Sequence, residues 1–171
     1  MGPLVRRTWA PRGHTPVLHQ RGRSRRKVSV IGALVVSPRR RRVRAYFSLL
    51  PEANFDGAHV LRFLRQLCRA LRVPIALIWD RGQAHIGEPV KGWLERSRRR
   101  IQAELLPPYA PELNPVELIW GHAKTNGLAN FAPLEFTQLS MHAHLTVLAI
   151  GDDQTLLRAF LRHCALSFRL K

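Results

Sequence analysis

The sequence predicts an α/β fold: a mixed β-sheet with flanking helices. Three observations point there. Short apolar, often β-branched runs fall at residues 28–36, 43–49, 75–79 and 101–106. Amphipathic helical patterns lie between and after them, and turn residues separate the runs. The order is strand, strand, helix, strand, helix, strand, then helices.

The elements follow in turn. Residues 8–10 and 15–18 could form short edge strands around a turn at Arg12-Gly13, and residues 24–27 are a basic connector. Residues 28–36, rich in valine and without a charge, read as a buried strand. Ser37-Pro38 and the run Arg39, Arg40, Arg41 and Arg42 make a basic turn. Residues 43–49 return antiparallel, with Val43, Ala45 and Phe47 alternating against Arg44 and Tyr46. Asp56 suits a helix N-cap. Val60, Leu64, Leu67, Cys68 and Leu71 then recur at helical spacing, with Arg62, Arg65, Arg69 and Arg72 on the solvated face. Residues 75–79 form a short strand ending at Asp80, broken by Arg81-Gly82. A helix over 89–95, a basic turn over 96–100 and a strand over 101–106 lead into a proline-rich stretch. Two helical segments close the chain, over 134–148 and 152–168. Asp152 and Asp153 favour the first turn of the last helix.

Composition narrows the partners. The 171 residues fit one domain with a sizeable core. Lys+Arg is 28 against Asp+Glu 11, a net charge of +17. Lysine occurs only at 27, 91, 124 and 171, so arginine supplies nearly all of this charge. Its forked donors suit phosphate, which makes nucleic acid the leading partner; a merely soluble basic surface is the bland alternative. No acid precedes Glu52. Cys68 and Cys164 have no metal spacing and read as reduced core thiols of a cytosolic protein. The apolar runs are too short to span a membrane, and the N-terminus has no apolar signal core. His142, His144 and His163 have no companion acids at zinc-ligand spacing.

The chemistry concentrates in LLPPYAPELNPVELIWGHAK, residues 105–124. Pro107, Pro108, Pro111 and Pro115 hold the approach extended. Asn114 is an N-cap candidate, Pro115 suits the first helical position, and Glu117 falls at the third. Glu117 could simply complete a capping box by binding the backbone N–H of Asn114. Asp80 offers the other reading. It sits at the carboxyl end of an inner strand, where ligands of open α/β sheets bind. The 36 residues between Asp80 and Glu117 can hold a helix, a strand and the proline-rich turn. That path can return Glu117 beside Asp80. Paired carboxylates suggest a hard cation, Mg²⁺ above all, and metal-assisted phosphoryl transfer. Trp120, one turn beyond Val116, reads as core rather than as a stacking residue.

IWDRGQAHIGEPVKGWL (78–94) and residues 105–124 resemble the second and third catalytic blocks of DDE transposases. The likeness is to the bacterial insertion-sequence branch of the mariner-type superfamily. RTWAPRGHTPVL (7–18) and VSVIGAL (28–34) resemble the segments that follow the first block. The resemblance implies a ribonuclease-H-like domain over 1–130, with a helical segment over 131–171 packed on it. It implies DNA cleavage and strand transfer with Mg²⁺ or Mn²⁺, two ions in the complete domain, and carries Asp80 and Glu117 over as catalytic and metal-binding residues. Double-stranded DNA, both transposon ends and target, is the implied partner. A homodimer and a cytoplasmic, nucleoid-associated location go with it, and no small-molecule cofactor. Arg81, His85, Lys124 and the run 39–42 are candidates for DNA contact; His85 could equally orient a carboxylate or be an ordinary loop residue.

One departure accompanies the likeness. The family's first catalytic aspartate ends a strand just upstream of the segment resembled by residues 4–18, and no acid here matches it. Asp56 is explained as a helix cap. The chain therefore reads as truncated, without the sheet's first strand or the family's helix-turn-helix, and as inactive by itself. A missing central strand should expose apolar surface around 28–36 and 75–79. The alternative is a non-catalytic basic DNA-binding remnant. RNA binding is weaker, since no aromatic RNA-binding signature is present.

Overall fold

In the computed structural model, which describes residues 6–17, 26–166 and 170, the strand-forming runs pair in two separate places. Strands β1 (Val28–Val36) and β2 (Val43–Pro51) are antiparallel, with Val28 opposite Pro51 and Val36 opposite Val43. Their turn is closed by Ser37, whose N–H donates to the Arg42 carbonyl and whose hydroxyl accepts from the N–H groups of Arg41 and Arg42. Strands β3 (Ile75–Trp79) and β4 (Ile101–Leu105) are parallel. Parallel strands need a crossover, and helices α2 (Gln83–Ile86) and α3 (Glu88–Arg96) provide it. Helix α1 (Gly57–Leu71) precedes β3; Asp56 caps it by accepting from the His59 N–H. Beyond β4 come a 3₁₀ turn (Pro111–Leu113), helix α4 (Pro115–His122), a π-helical turn (Ala123–Gly127), and helices α5 (Phe136–Asp152) and α6 (Gln154–His163).

Two apolar cores result. The first joins Val43 of β2 to Ile119 of α4, Ile150 of α5 and Leu157 of α6. The second joins Val60 and Leu64 of α1 to Val90 of α3 and Ile101 of β4. Strand β1 serves both. Leu34 and Val36 pack on the first core, and Ile31 packs on the second. Alternation puts residue 31 on the opposite face from 34 and 36. No charged or polar side chain is buried among the described residues, so the described cationic side chains lie at or near the surface.

Several expectations are corrected. The four strands do not join into one mixed sheet; they make an antiparallel pair and a parallel pair. Strand β1 was expected to be buried, yet all nine of its residues are only half-buried; among the described residues it pairs with β2 alone. Ile78 of β3 is exposed, in line with the expectation of exposed apolar surface around 75–79. Residues 8–10 and 15–17 are irregular rather than strands, and residue 18 lies outside the described residues. Arg6 is tied instead to Asn130, which accepts from its N–H and donates to its carbonyl. Asp152 ends α5 rather than opening the last helix. Asp153 alone caps α6, accepting from the Leu156 N–H. That helix ends at His163, not 168, and residues 167–169 lie outside the described residues.

Candidate active site

Asp80 follows the last residue of β3. Its Oδ1 accepts from the Gly82 N–H at 2.9 Å and lies 2.7 Å from His85 Nδ1. An ionised carboxylate can only accept, so His85 Nδ1 carries the hydrogen and donates. The His85 ring is itself stacked on Trp79, centroids 4.7 Å apart and planes at 11°. The hydrogen bond from His85 holds the Asp80 carboxyl below the usual aspartate range, with help from the Gly82 N–H; partial burial opposes them. Gly82 leaves room for this arrangement. A Cβ on it would stand 3.1 Å from Asp80 Oδ1 and 3.3 Å from His85 Nδ1.

Glu117 comes from the other core. Pro115 opens α4, and Asn114 caps it by accepting from the Val116 N–H at 3.1 Å. The capping-box reading does not hold. The Asn114 N–H donates to the Pro111 carbonyl, and the Glu117 carboxylate makes no hydrogen bond among the described residues. The helix is fixed from below. Ile119 is fully buried, and Trp120 lies on the β1–β2 sheet beside Phe47. Gly32 makes that seat, since a Cβ there would come within 2.9 Å of the Trp120 ring. Trp120 is a core residue, as its spacing suggests.

The two arms meet. Asp80 and Glu117 line one open cleft of about 410 Å³, together with Arg81, residues 106–111 and Asn114. Arg81 Nε donates to the Leu106 carbonyl at 3.1 Å, and the Leu106 N–H donates to the Trp79 carbonyl at 2.8 Å. These bonds tie the end of β3 to the start of the proline-rich loop. His85 sits behind Asp80 and is not among the residues that line the cleft. Lys124 is exposed in the π-helical turn, which breaks the α-helical register with Glu117, and it does not line the cleft. Arg39, Arg40, Arg41 and Arg42 are exposed at the tip of the β1–β2 hairpin.

The donor set fits a hard divalent cation. Asp80 Oδ2 and both Glu117 oxygens are without hydrogen bonds among the described residues, and carboxylate oxygens are what Mg²⁺ and Mn²⁺ take. No group of three or more His, Cys, Asp or Glu side chains is placed to hold a metal among the described residues. His142 stacks on Phe131 and bonds the Gly127 carbonyl, a structural role. No helix among the described residues is long and apolar enough to cross a membrane. Gly82 was read from the sequence only as a strand break, and Tyr109 was given no role. The Gly two residues after a strand-end Asp, and the Tyr following two prolines, are the signals that could have found them.

Comparison with known proteins bears on family and fold. The sequence pattern of the DDE superfamily endonucleases matches residues 2–139. Comparison with curated proteins finds no match. In structure the chain is similar to the Mos1 mariner paired end complex with Mn, with a TM-score of 0.62 and 18% identity over 94% of this chain and 47% of that one. It is similar to the Mos1 strand transfer complex, with a TM-score of 0.60 and 19% identity over 93% and 46%. The Mos1 transposase paired-end complex with the left transposon end gives 0.58 and 17% over 94% and 47%. At these identities the likeness is one of fold, the ribonuclease-H-like α/β arrangement. The chain spans about half the length of the structures it matches.

Proposed function

The chain belongs to the DDE superfamily of endonucleases, and on that premise we propose that it is catalytic-domain sequence of a bacterial insertion-sequence transposase. Its reaction is divalent-metal-dependent cleavage and strand transfer of DNA. The observation that carries the reading is the meeting of Asp80 and Glu117, from separate cores, in one open cleft. These two residues would hold Mg²⁺ or Mn²⁺. In such sites the ions activate an attacking oxygen and stabilise a leaving one at phosphorus. The chain's own residues do the rest. His85 and the Gly82 N–H hold one Asp80 oxygen and leave the other toward the cleft. Arg81 fixes the loop wall, and its remaining guanidinium donors reach for phosphate. Lys124 and the hairpin arginines supply further contacts to duplex DNA, with salt-dependent affinity. Two ions, a homodimer on paired transposon ends and a nucleoid location complete the proposal. So does inactivity of this chain without a third carboxylate.

The test is a Mn²⁺ titration followed by DNA cleavage. Mn²⁺ should bind the chain, and Asp80→Asn or Glu117→Gln should each weaken binding about tenfold or more, since even losing a group that merely supports a metal ligand costs about that much. Joined to an upstream strand ending in aspartate, the chain should cut DNA, and either substitution should abolish cutting without unfolding it. Cleavage that survives either substitution sinks the assignment. A second reading draws on the two-carboxylate cleft: a non-catalytic, basic DNA-binding remnant. It predicts salt-sensitive DNA binding indifferent to Asp80 and Glu117, and no Mn²⁺ binding in the cleft.

A further inference from the structure

Tyr109 is the residue the mechanism leaves unused. It lines the cleft with Asp80 and Glu117, yet its side chain is fully exposed. Its backbone is left-handed, φ +56°. Non-glycine residues seldom adopt that conformation; for a bulky one it costs on the order of 1–3 kcal/mol and persists only where its surroundings impose it. Here the surroundings do, since Pro107, Pro108 and Pro111 stiffen the loop on both sides. Four other described non-glycine residues share a positive φ: Arg40, Glu52, Arg72 and Asn130. None of them is aromatic. A glycine would satisfy this backbone without strain, and a polar residue would suit full exposure. The position carries an aromatic ring instead, buried against nothing and held over the opening of a carboxylate cleft in a strongly cationic chain.

We propose that Tyr109 positions the DNA strand by stacking its ring on an unpaired base next to the phosphate brought to Asp80 and Glu117. This inference rests on the function proposed above. A flat ring on a rigid support is a stacking platform for any base, because every base has a π-face. Stacking demands a base freed from its partner, so the site takes an end or distorted duplex in preference to a continuous one. The phenol hydroxyl is not needed for it.

The experiment compares two DNAs on the full chain without divalent ion: a blunt duplex, and the same duplex with a short unpaired 3′ end carrying 2-aminopurine. The parent should bind the unpaired end more tightly and change the fluorescence of its 2-aminopurine. Tyr109→Ala should lose about tenfold in affinity for that DNA, change blunt-duplex binding less than twofold, and lose the fluorescence change. Tyr109→Phe should keep all three properties of the parent. Tyr109→Gly, which removes ring and backbone strain together, should melt no lower than the parent and bind like Tyr109→Ala. Equal binding of both DNAs by parent and Tyr109→Ala overturns the inference and leaves the proposed function standing. So does a loss in Tyr109→Phe as large as in Tyr109→Ala. A parent that binds neither DNA overturns the proposed function and this inference with it.

Discussion

Asp80 reaches the cleft with one oxygen already taken by His85 and Gly82, whereas both Glu117 oxygens are without a hydrogen bond among the described residues. The difference lies in what each backbone can fix. A strand end is followed by a loop, so the side chain of Asp80 is held by hydrogen bonds of its own. A helix start is rigid once capped and packed, so Asn114, Pro115, Ile119 and Trp120 place the Glu117 backbone, while no hydrogen bond holds its exposed side chain among the described residues. Ordering a glutamate side chain costs up to about 2 kcal/mol of rotamer entropy. Asp80 has met most of that cost before any ligand arrives; Glu117 meets it on binding. One carboxylate is preorganised and the other adapts.

That contrast can be broken at its strongest point. Ile119→Ala removes a fully buried side chain from beneath α4 and should destabilise the chain by about 2–5 kcal/mol. Urea unfolding measures it. A loss below about 1 kcal/mol would mean that the helix is fixed by something other than this core. Asn114→Ala is the milder test of the same arm. It leaves the Val116 N–H without its cap and should cost about 1 kcal/mol. An unchanged midpoint in denaturant would show that the prolines alone set the helix start.

The smallest effect sharpens the Asp80 arm. Its carboxyl is held below the ordinary aspartate value of 3.8, chiefly by His85. A depressed carboxyl stabilises the folded chain above that ordinary value, and the contribution is lost as pH falls through the folded one. His85→Ala should therefore raise the Asp80 pKa toward 3.8 and flatten the acid end of the stability curve. Carboxyl-detected NMR titration reads the shift directly. An Asp80 that titrates as before would assign the depression to the Gly82 N–H instead. Because the carboxyl is about half exposed, solvent screening keeps the stability change small.

Local patterns were legible where neighbours in sequence do the work. The Asp56 cap, the start of α4 at Pro115, the pairing of residues 28–36 with 43–49 and the strand end at Asp80 all follow from turn chemistry and period. The edge strands expected near the N-terminus were not. Residues 8–10 and 15–17 have strand-like side chains, but no described strand pairs with them. The division into two sheets was equally hidden, because pairing depends on which edges meet and not on the strands themselves. In the site, the Asx cap and the capping box look alike in sequence. Only the position of the Glu117 carboxylate separates them.

The elements, the cationic surface and the two carboxylates with their local supports, His85 beside Asp80 among them, follow from residues close together in the chain. These rest on backbone propensity, capping and charge, which act over a few residues. Tertiary packing brought Asp80 and Glu117 into one cleft and set Tyr109 among the residues that line it. Those outcomes depend on how the two cores pack about β1. Packing of that kind is a property of contacts between distant residues, which no local pattern records.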